Sequence, residues 1–271
     1  MEVRILEKND LTARLVIEGA DTPFINAMRR IVLAEVPSMA IDEVVIIENS
    51  SIVHDEILAH RLGFIPLKTD LDTYNLPEEC ACKSEFGCNL CRVALTLEGE
   101  AKENTTTVYS GELHSDNPDI VPVSDRIPIV KLAPGQKVKL EAYARLGKGI
   151  DHAKWQPVSS CTHRYVPRIE INEKQCDACG KCVDVCPKRV LVNADKKIDA
   201  QNITECTLCQ DCVDACPKDP SAIIVEGDTN AFILDIESTG ALPVERIVLE
   251  ATKLIDRKSE EFIKKLKAAK K

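Results

Sequence analysis

The sequence is poor in aromatic residues, which form 4% of its 271 residues and include a single tryptophan. It also lacks any run approaching the ~20 consecutive apolar residues that a membrane-spanning helix requires. The opening residues, Met1 to Arg4, do not combine the basic and apolar regions of a signal peptide. Because hydrophobic residues nonetheless make up 44% of the chain, we expect a folded globular protein with an aliphatic core and no membrane association.

Patterns typical of catalysis are absent as well. The chain contains no nucleophile elbow, no phosphate-binding glycine loop and no acidic triplet suited to Mg²⁺. The formal net charge of −9 argues against a nucleic-acid-binding chain, because phosphate contacts need clustered basic residues. We therefore expect no catalysis by the chain alone and only local basic patches. These are Arg29-Arg30 and a lysine tail, interpreted as solvated, that contains Lys264, Lys265, Lys267, Lys270 and Lys271.

Cysteine, in contrast, is abundant, with 13 residues in the chain. Two copies of one motif, C-x2-C-x2-C-x3-C followed by proline, account for most of them. The copies are Cys176, Cys179, Cys182 and Cys186 before Pro187, and Cys206, Cys209, Cys212 and Cys216 before Pro217. The Val-Asp step before the last cysteine and the Pro-Lys step after it also repeat, as an internal duplication should.

This spacing predicts two [4Fe–4S] clusters, because three thiolates of each motif converge on one cubane while the fourth reaches the other cluster. One cluster would take Cys176, Cys179, Cys182 and Cys216, and the second would take Cys206, Cys209, Cys212 and Cys186. Zinc sites or disulfides are the alternative, but zinc ribbons pair two C-x2-C knuckles and need neither the third cysteine nor the C-P step. Residues 166 to 226 resemble two-cluster bacterial-type ferredoxins. Because the ligands must stay reduced, we expect a cytoplasmic protein.

A second cysteine group has a different spacing, C-x-C-x5-C-x2-C, and contains Cys80, Cys82, Cys88 and Cys91. Four thiolates so close in sequence can surround one tetrahedral Zn²⁺, with the last two as a tight knuckle. Ordinary reduced thiols and another iron centre remain as alternatives. Cys161 stands alone and is interpreted as a buried small residue. The histidines His60, His114, His152 and His163 have no partner at metal or triad spacing and are interpreted as structural.

Hydrophobic periodicity predicts a mixture of strands and helices. The predicted strands are Leu11 to Ile17, Glu43 to Glu48, Val93 to Leu97, Val138 to Leu146, Arg168 to Ile171, Ala222 to Val225 and Phe232 to Ile236. One helix should start at Thr22 as its cap and stop before Pro37, a second should end near Gly63, and a long one should begin at about Pro243. The apolar stripe of the last helix, from Val244 to Leu266, could pack on the protein's own sheet or form a dimer seam.

Four sequence blocks outside the iron–sulfur motifs resemble the D-subunit family of archaeal RNA polymerases. They are Phe24 to Ile31, His60 to Leu67, His152 to Val158 and Ile236 to Gly240. That family is similar to the N-terminal region of the bacterial alpha subunit and to the third-largest subunit of eukaryotic polymerase II. The resemblance implies an α+β fold, in which an alpha-subunit-like dimerisation domain carries an inserted β-rich domain and a ferredoxin-like 2[4Fe–4S] domain. The implied limits are 1–42, 138–165 and 228–271 for dimerisation, 43–137 for the β-rich insert and 166–227 for the iron–sulfur domain.

The resemblance also implies a noncatalytic assembly subunit of DNA-directed RNA polymerase, a nucleotidyltransferase complex that acts in transcription. Its implied partners are subunit L in a heterodimer, the small subunits N and P and the large catalytic subunits, with DNA reached only through the complex. The loop from Cys80 to Cys91 is similar to the zinc loop of eukaryotic members, although its gap between Cys82 and Cys88 is longer. The doubled motif alone favours an alternative, a ferredoxin-like electron-transfer protein. Within the assembly role, the clusters could be structural or could sense oxidation.

Overall fold

The computed structural model describes residues 1–84, 87–194 and 197–269. Over these residues the chain forms twelve β-strands and five α-helices. The strands are β1 (Glu2–Lys8), β2 (Thr12–Glu18), β3 (Ser38–Asn49), β4 (Val93–Glu100), β5 (Thr106–Tyr109), β6 (His114–Ser115), β7 (Pro128–Leu132), β8 (Lys137–Gly147), β9 (Val158–Ile171), β10 (Leu191–Ala194), β11 (Lys197–Ala200) and β12 (Ile223–Ser238). The helices are α1 (Thr22–Ala34), α2 (Asp55–Gly63), α3 (Lys181–Val185), α4 (Asp211–Asp214) and α5 (Val244–Ala269). Lys270 and Lys271, which end the predicted lysine tail and the predicted dimerisation domain, lie outside the described residues.

The chain divides into two compact units, of which the first contains Met1–Glu7, Arg14–Asn26 and Thr162–Asp235. Most of a four-stranded sheet with the order β1-β2-β12-β9 lies in this unit. The sequence pattern predicts two separate strands where the structure has the single strand β12. Glycine makes this continuity possible, because a Cβ at Gly227 would lie 2.7 Å from the Cβ of Tyr165 in β9.

The iron–sulfur segment forms the rest of the first unit. The strands β10 and β11 pair as an antiparallel hairpin in which Leu191 faces Ala200. The small core of this segment contains Val190, Ile198 and Ile223 together with Cys182, Cys206 and Cys212. A core that includes three cysteines predicted to be cluster ligands has little apolar area of its own.

The second unit contains Lys8–Ala13, Ala27–Cys161 and the described residues from Ile236 onward. Its main sheet has the order β3-β8-β4-β6, and its second sheet pairs β5 with β7. Strand β8 is central and alternates between buried and wetter residues, as predicted, with Ala144 opposite Val93 of β4. The predicted domain boundary between residues 137 and 138 separates β8 from the strands with which it pairs. The structure differs here because alternation predicts a strand but not its neighbours.

The three predicted helices correspond to α1, α2 and α5, with a difference at one cap, and the short helices α3 and α4 are not among the predicted elements. Asp21, rather than Thr22, caps α1, because its carboxylate accepts the backbone N–H of Phe24 at 2.9 Å while Thr22 is already helical. A carboxylate is also the better partner for the positive end of a helix. None of the helices described combines the length and apolar character that a bilayer crossing demands.

Helix α5 divides its apolar stripe into two parts. Val244, Ile247, Ala251 and Leu254 are buried. Further along the same helix, Phe262, Ile263 and Leu266 are 63%, 49% and 48% exposed. The first part of α5 therefore packs on the protein's own core, and the second part leaves large apolar side chains in solvent.

Candidate metal centres

Four thiols in the loop between α2 and β4 lie close together. The Sγ of Cys80 lies 3.7 Å from that of Cys88, and the Sγ of Cys91 lies 3.8 Å from those of Cys82 and Cys88. All four Sγ atoms are within 4.8 Å of one another, and none belongs to a disulfide. We call this group, Cys80, Cys82, Cys88 and Cys91, the compact thiol site.

The compact thiol site has the dimensions of a single-ion centre. Four Zn–S bonds of about 2.3 Å define a tetrahedron with edges of about 3.8 Å. The measured separations of 3.7 and 3.8 Å match this edge. Burial of Cys80 and Cys91 sets the group apart from ordinary surface thiols. An all-thiolate tetrahedron suits Zn²⁺ and, by the same geometry, a single iron ion.

Local backbone geometry directs the last two thiols toward each other. Gly87 has a φ of +76°, and a Cβ there would lie 3.3 Å from the Sγ of Cys91. After this turn the N–H of Cys88 donates to the Sγ of Cys91 at 3.1 Å. Gly87 is not among the residues that the sequence patterns single out, although a glycine directly before a C-x2-C knuckle is the available signal.

Arg92, which follows the last thiol, attaches the loop to the main sheet of the second unit. Its guanidinium carbon lies 3.6 Å from the ring centroid of Tyr143 in β8. Its Nη2 donates to the carboxylate of Glu43 in β3 at 2.9 Å. The compact thiol site is therefore supported by a folded sheet as well as by its own loop.

The thiols of the compact site bind protons with different strength. A hydrogen bond from the backbone of Ser84 lowers the pKa of Cys82 to about 7. Burial raises the pKa of Cys91 to about 12. Cys82 is thus partly a thiolate near neutral pH, whereas Cys91 keeps its proton there, and a bound cation would have to displace it.

The two cysteine motifs of the iron–sulfur segment repeat one backbone conformation. Ala178 and Leu208 have φ of +56° and +58°, and Gly180 and Gln210 have φ of +80° and +70°. The carbonyl oxygen of Gly180 then accepts the N–H groups of Val183 and Asp184 in α3. The carbonyl oxygen of Gln210 accepts those of Val213 and Asp214 in α4. Each loop thus turns twice through left-handed residues before a short helix. The duplication in sequence is also a duplication in structure.

The four cysteines predicted to hold the second cluster line one cavity. They are Cys186, Cys206, Cys209 and Cys212. Val190 and Val225 supply apolar walls of the same cavity. Burial, followed by the charges of the three other thiols, raises the pKa of Cys212 to about 11. Cys206 and Cys212 are buried, whereas Cys186 is half-buried and Cys209 is exposed. Thiols that line one cavity are suited to an iron centre that neutralises their charges.

The other predicted set contains Cys176, Cys179, Cys182 and Cys216. Burial raises the pKa of Cys182, and the charges of the first two thiols add to this effect. Lys218 donates to the carboxylate of Asp177 at 2.8 Å, and this bond, followed by the charges of Cys179 and Cys216, raises the pKa of Lys218. The structure therefore brings the last cysteine of the second motif toward the loop of the first.

The distances between sulfur atoms distinguish these two motifs from the compact thiol site. In the described part of the chain, no three of the eight thiols lie within 4.8 Å of one another, and none forms a disulfide. Cys161 is buried, as predicted, and burial raises its pKa to about 12. His60 and His152 each contact the ring of Phe64 rather than a thiol.

Comparisons with known proteins agree with this geometry. The family model described as the RNA polymerase Rpb3/RpoA insert domain matches residues 44–163, and its range includes β8. The model described as a 4Fe-4S dicluster domain matches residues 175–221. This match and the paired motifs identify an iron–sulfur-binding segment.

Whole-chain relatives carry one name. The chain is 42% identical to DNA-directed RNA polymerase subunit Rpo3 of Methanosphaera stadtmanae, and the match covers 97% of each protein. It is 43% identical to the Rpo3 subunit of Archaeoglobus fulgidus over 97% of each protein. It is 38% identical to that of Pyrococcus horikoshii over 98% of each. The chain therefore belongs to the Rpo3 family of archaeal DNA-directed RNA polymerase subunits, the family that its four sequence blocks resemble.

Proposed function

We propose that this chain is a noncatalytic assembly subunit of DNA-directed RNA polymerase. It pairs with subunit L, and the pair supports the small subunits N and P and the large catalytic subunits. The Rpo3 name of relatives aligned over 97% of the chain supports the role in the polymerase. A cytoplasmic location follows from this role and from ligands that must stay reduced.

The exposed end of α5 carries the proposal for a protein partner. Phe262, Ile263 and Leu266 lie within two turns of one helix and remain in solvent. Burying them in an interface would stabilise a complex by roughly 1.5–3 kcal/mol for each large side chain. A helix from a homologous subunit is suited to cover such a stripe.

We also propose the metal content and ligands. One [4Fe–4S] cluster takes Cys176, Cys179, Cys182 and Cys216, and the other takes Cys186, Cys206, Cys209 and Cys212. The compact thiol site takes one Zn²⁺. The repeated left-handed turns and the shared cavity support the two clusters, and the 3.7 Å and 3.8 Å separations support a single ion. Bound metals would supply cross-links that a thin core cannot.

Co-purification with subunit L tests the assembly role. The full chain should give a stable 1:1 complex, and the double variant Phe262→Glu with Leu266→Glu should lose it. Ile52→Glu is the matched control, because Ile52 is 84% exposed and lies outside α5. A complex that survives the double variant, or a wild-type chain that stays monomeric at micromolar concentration, would contradict the proposal.

Replacing Cys176, Cys179 and Cys182 with Ser separates this role from electron transfer. For an assembly subunit, binding to the other polymerase subunits should weaken first. For an electron carrier, reduction of an acceptor would fail while assembly stayed intact. The dicluster match covers residues 175–221 only, so most of the chain has no part in a purely electron-carrying function.

A further inference from the structure

Three charged residues from three strands of one sheet meet beside the second cysteine motif. Arg14 lies in β2 and Arg164 in β9, while Asp235 lies in β12, the strand between them. The Nε of Arg14 donates to the Oδ1 of Asp235 at 2.7 Å. The Nε of Arg164 lies 3.7 Å from the Oδ2 of Asp235. We call Arg14, Arg164 and Asp235 the sheet clamp.

Both arginines of the sheet clamp also hold the turn that directly precedes Cys206. The Nη1 of Arg14 donates to the Oε1 of Glu205 at 2.9 Å. The Nη1 of Arg164 donates to the carbonyl oxygen of Thr204 at 2.9 Å and to that of Cys206 at 3.3 Å. The clamp thus reaches the main chain of a residue whose thiol is a proposed cluster ligand.

The sheet clamp is only partly exposed to water. The side chains of Arg14, Arg164 and Asp235 are 28%, 30% and 32% exposed. Hydrogen bonds between charged groups at this depth are stronger than neutral ones and less screened than fully exposed pairs. Because Asp235 offers one oxygen to each arginine, the two guanidinium groups hold each other's orientation through it.

The first cysteine motif is held differently. The N–H of Cys176 donates to the carbonyl of Asn172 at 3.0 Å, and Asp177 pairs with Lys218. These neighbours belong to the iron–sulfur segment itself. Strand β9 runs directly into the beginning of the first motif, whereas the second motif is joined to the sheet at its end, where β12 begins at Ile223. The beginning of the second motif, at Cys206, has no such strand beside it in sequence, and the clamp holds it to β2 and β9.

We propose that the sheet clamp positions the Cys206 loop and couples iron bound by the second motif, rather than by the first, to the sheet. This inference rests on the cluster ligands proposed above. Coupling between two sites is reciprocal. The clamp therefore slows iron loss from the second motif, and bound iron keeps β2 and β12 ordered at the clamp.

Iron release from the full chain in complex with subunit L tests this coupling. Arg164→Met is compared with Arg168→Met, because Arg168 lies on the same strand, is 71% exposed and pairs with Glu170. Each is placed in a Cys179→Ser background, which leaves the second cluster, and in a Cys209→Ser background, which leaves the first. Arg164→Met should speed iron transfer to a chelator on the order of tenfold in the Cys179→Ser background, since it removes two charge-assisted hydrogen bonds.

The same substitution should leave the rate in the Cys209→Ser background within about twofold, and Arg168→Met should change neither. Equal acceleration in both backgrounds, or none in either, would overturn the proposal. Hydrogen exchange gives a readout that leaves the clamp intact. Cys209→Ser should raise exchange in β2 and β12 around Arg14 and Asp235, whereas Cys179→Ser should not.

Unchanged exchange in Cys209→Ser would overturn the coupling without any clamp variant. The milder variant Asp235→Asn, which keeps the size of the side chain, should speed iron release in the same background-specific way. Loss of the complex with subunit L would count against the assembly role and leave the clamp standing. A wild-type chain that binds no iron would overturn both the ligand proposal and the clamp.

Discussion

The compact thiol site and the iron–sulfur segment use the same ligand at two different scales. In the compact site the sulfur atoms lie 3.7–3.8 Å apart, so that they would touch one shared ion. In the described part of the iron–sulfur segment, no three thiols lie within 4.8 Å, which leaves room for an inorganic core between them. Ligand spacing, rather than ligand type, therefore distinguishes the two centres.

The two regions also differ in how far they depend on metal. The loop of the compact site lies between Leu76 and Val93, which belong to the large aliphatic core of the second unit. In the iron–sulfur segment, by contrast, Cys182, Cys206 and Cys212 are themselves core residues. Metal removal should therefore unfold the iron–sulfur segment and only loosen the loop of the compact thiol site.

The largest effect is expected from the double variant Cys182→Ser with Cys212→Ser. Structural metal sites of small domains contribute on the order of 10 kcal/mol of apparent binding energy, which a core that includes its own ligands cannot replace. Iron content should fall close to zero, and hydrogen-exchange protection of β10 and β11 should be lost. Strands β3, β8 and β4 should keep theirs. Retained hydrogen-exchange protection in β10 and β11 would contradict the proposed metal dependence of the iron–sulfur segment.

A smaller, local effect is expected from Cys88→Ser in the compact site. Zinc should fall from one ion per chain to none, while the free energy of unfolding should decrease by only roughly 1–3 kcal/mol. Asn89→Ala is the matched control, because Asn89 lies within the knuckle between Cys88 and Cys91 and supplies no thiol. Metal analysis and thermal denaturation of both variants measure these changes. Global unfolding of Cys88→Ser would show that the sheet does not support the loop.

Glycine substitutions compare the loops at the level of a single methyl group. Gly87→Ala combines a φ of +76° with a Cβ 3.3 Å from the Sγ of Cys91. Gly180→Ala has a φ of +80° but nothing within 4 Å of its Cβ, and Gln210 adopts the matching φ of +70° in the other motif. Left-handed strain costs about 1–2 kcal/mol at either position. Only Gly87→Ala should in addition weaken zinc binding, by about tenfold, because it displaces a ligand.

Competition with a zinc chelator and an iron-release assay on the two glycine variants provide the measurements. Gly180→Ala should retain iron at nearly the wild-type rate. If Gly180→Ala disturbed its metal as strongly as Gly87→Ala, backbone strain alone would govern both loops. The close approach to Cys91 would then have no separate role.

The sequence predicts local features well and spatial neighbours poorly. Alternation identifies β8 as a strand, but the pairing of β8 with β3 and β4 depends on residues far away in the chain. The continuity of β12 is hidden because its apolar ends are separated by polar residues, and Gly227 matters only beside Tyr165. Motif spacing proposes the eight iron ligands, since their geometry is encoded within short loops.

The sheet clamp shows the limit of what local sequence can predict. Arg14 and Asp235 are 221 positions apart, and neither belongs to a recognisable motif. Their meeting follows only from the strand order β2-β12-β9. A charged residue on a strand is ordinarily interpreted as facing solvent. The sequence next to Arg14 or Asp235 therefore does not predict that the two side chains meet.

The smallest expected effect is the pH dependence of the thiols in the metal-free chain. It differs between the two regions because only the region around the compact thiol site should stay folded without metal. The folded pKa of Cys82, about 7, lies below its ordinary value of 9.0. The stability that this thiolate contributes is therefore complete above pH 9 and is lost as pH falls through 7. The folded pKa of Cys91, about 12, lies above 9.0, so its contribution is complete below pH 9 and is lost as pH rises through 12.

Alkylation of the metal-free chain, followed by peptide mass spectrometry from pH 6 to 10, resolves these thiols individually. Cys82 should reach half its maximal rate near pH 7, while Cys91 should stay protected across the range, as should Cys161, whose pKa burial raises to about 12. The eight proposed iron ligands should react at similar rates, because their segment loses its fold with its metal. Graded reactivity among those eight would mean that the apo segment keeps its structure. The proposed difference in metal dependence between the two regions would then be wrong.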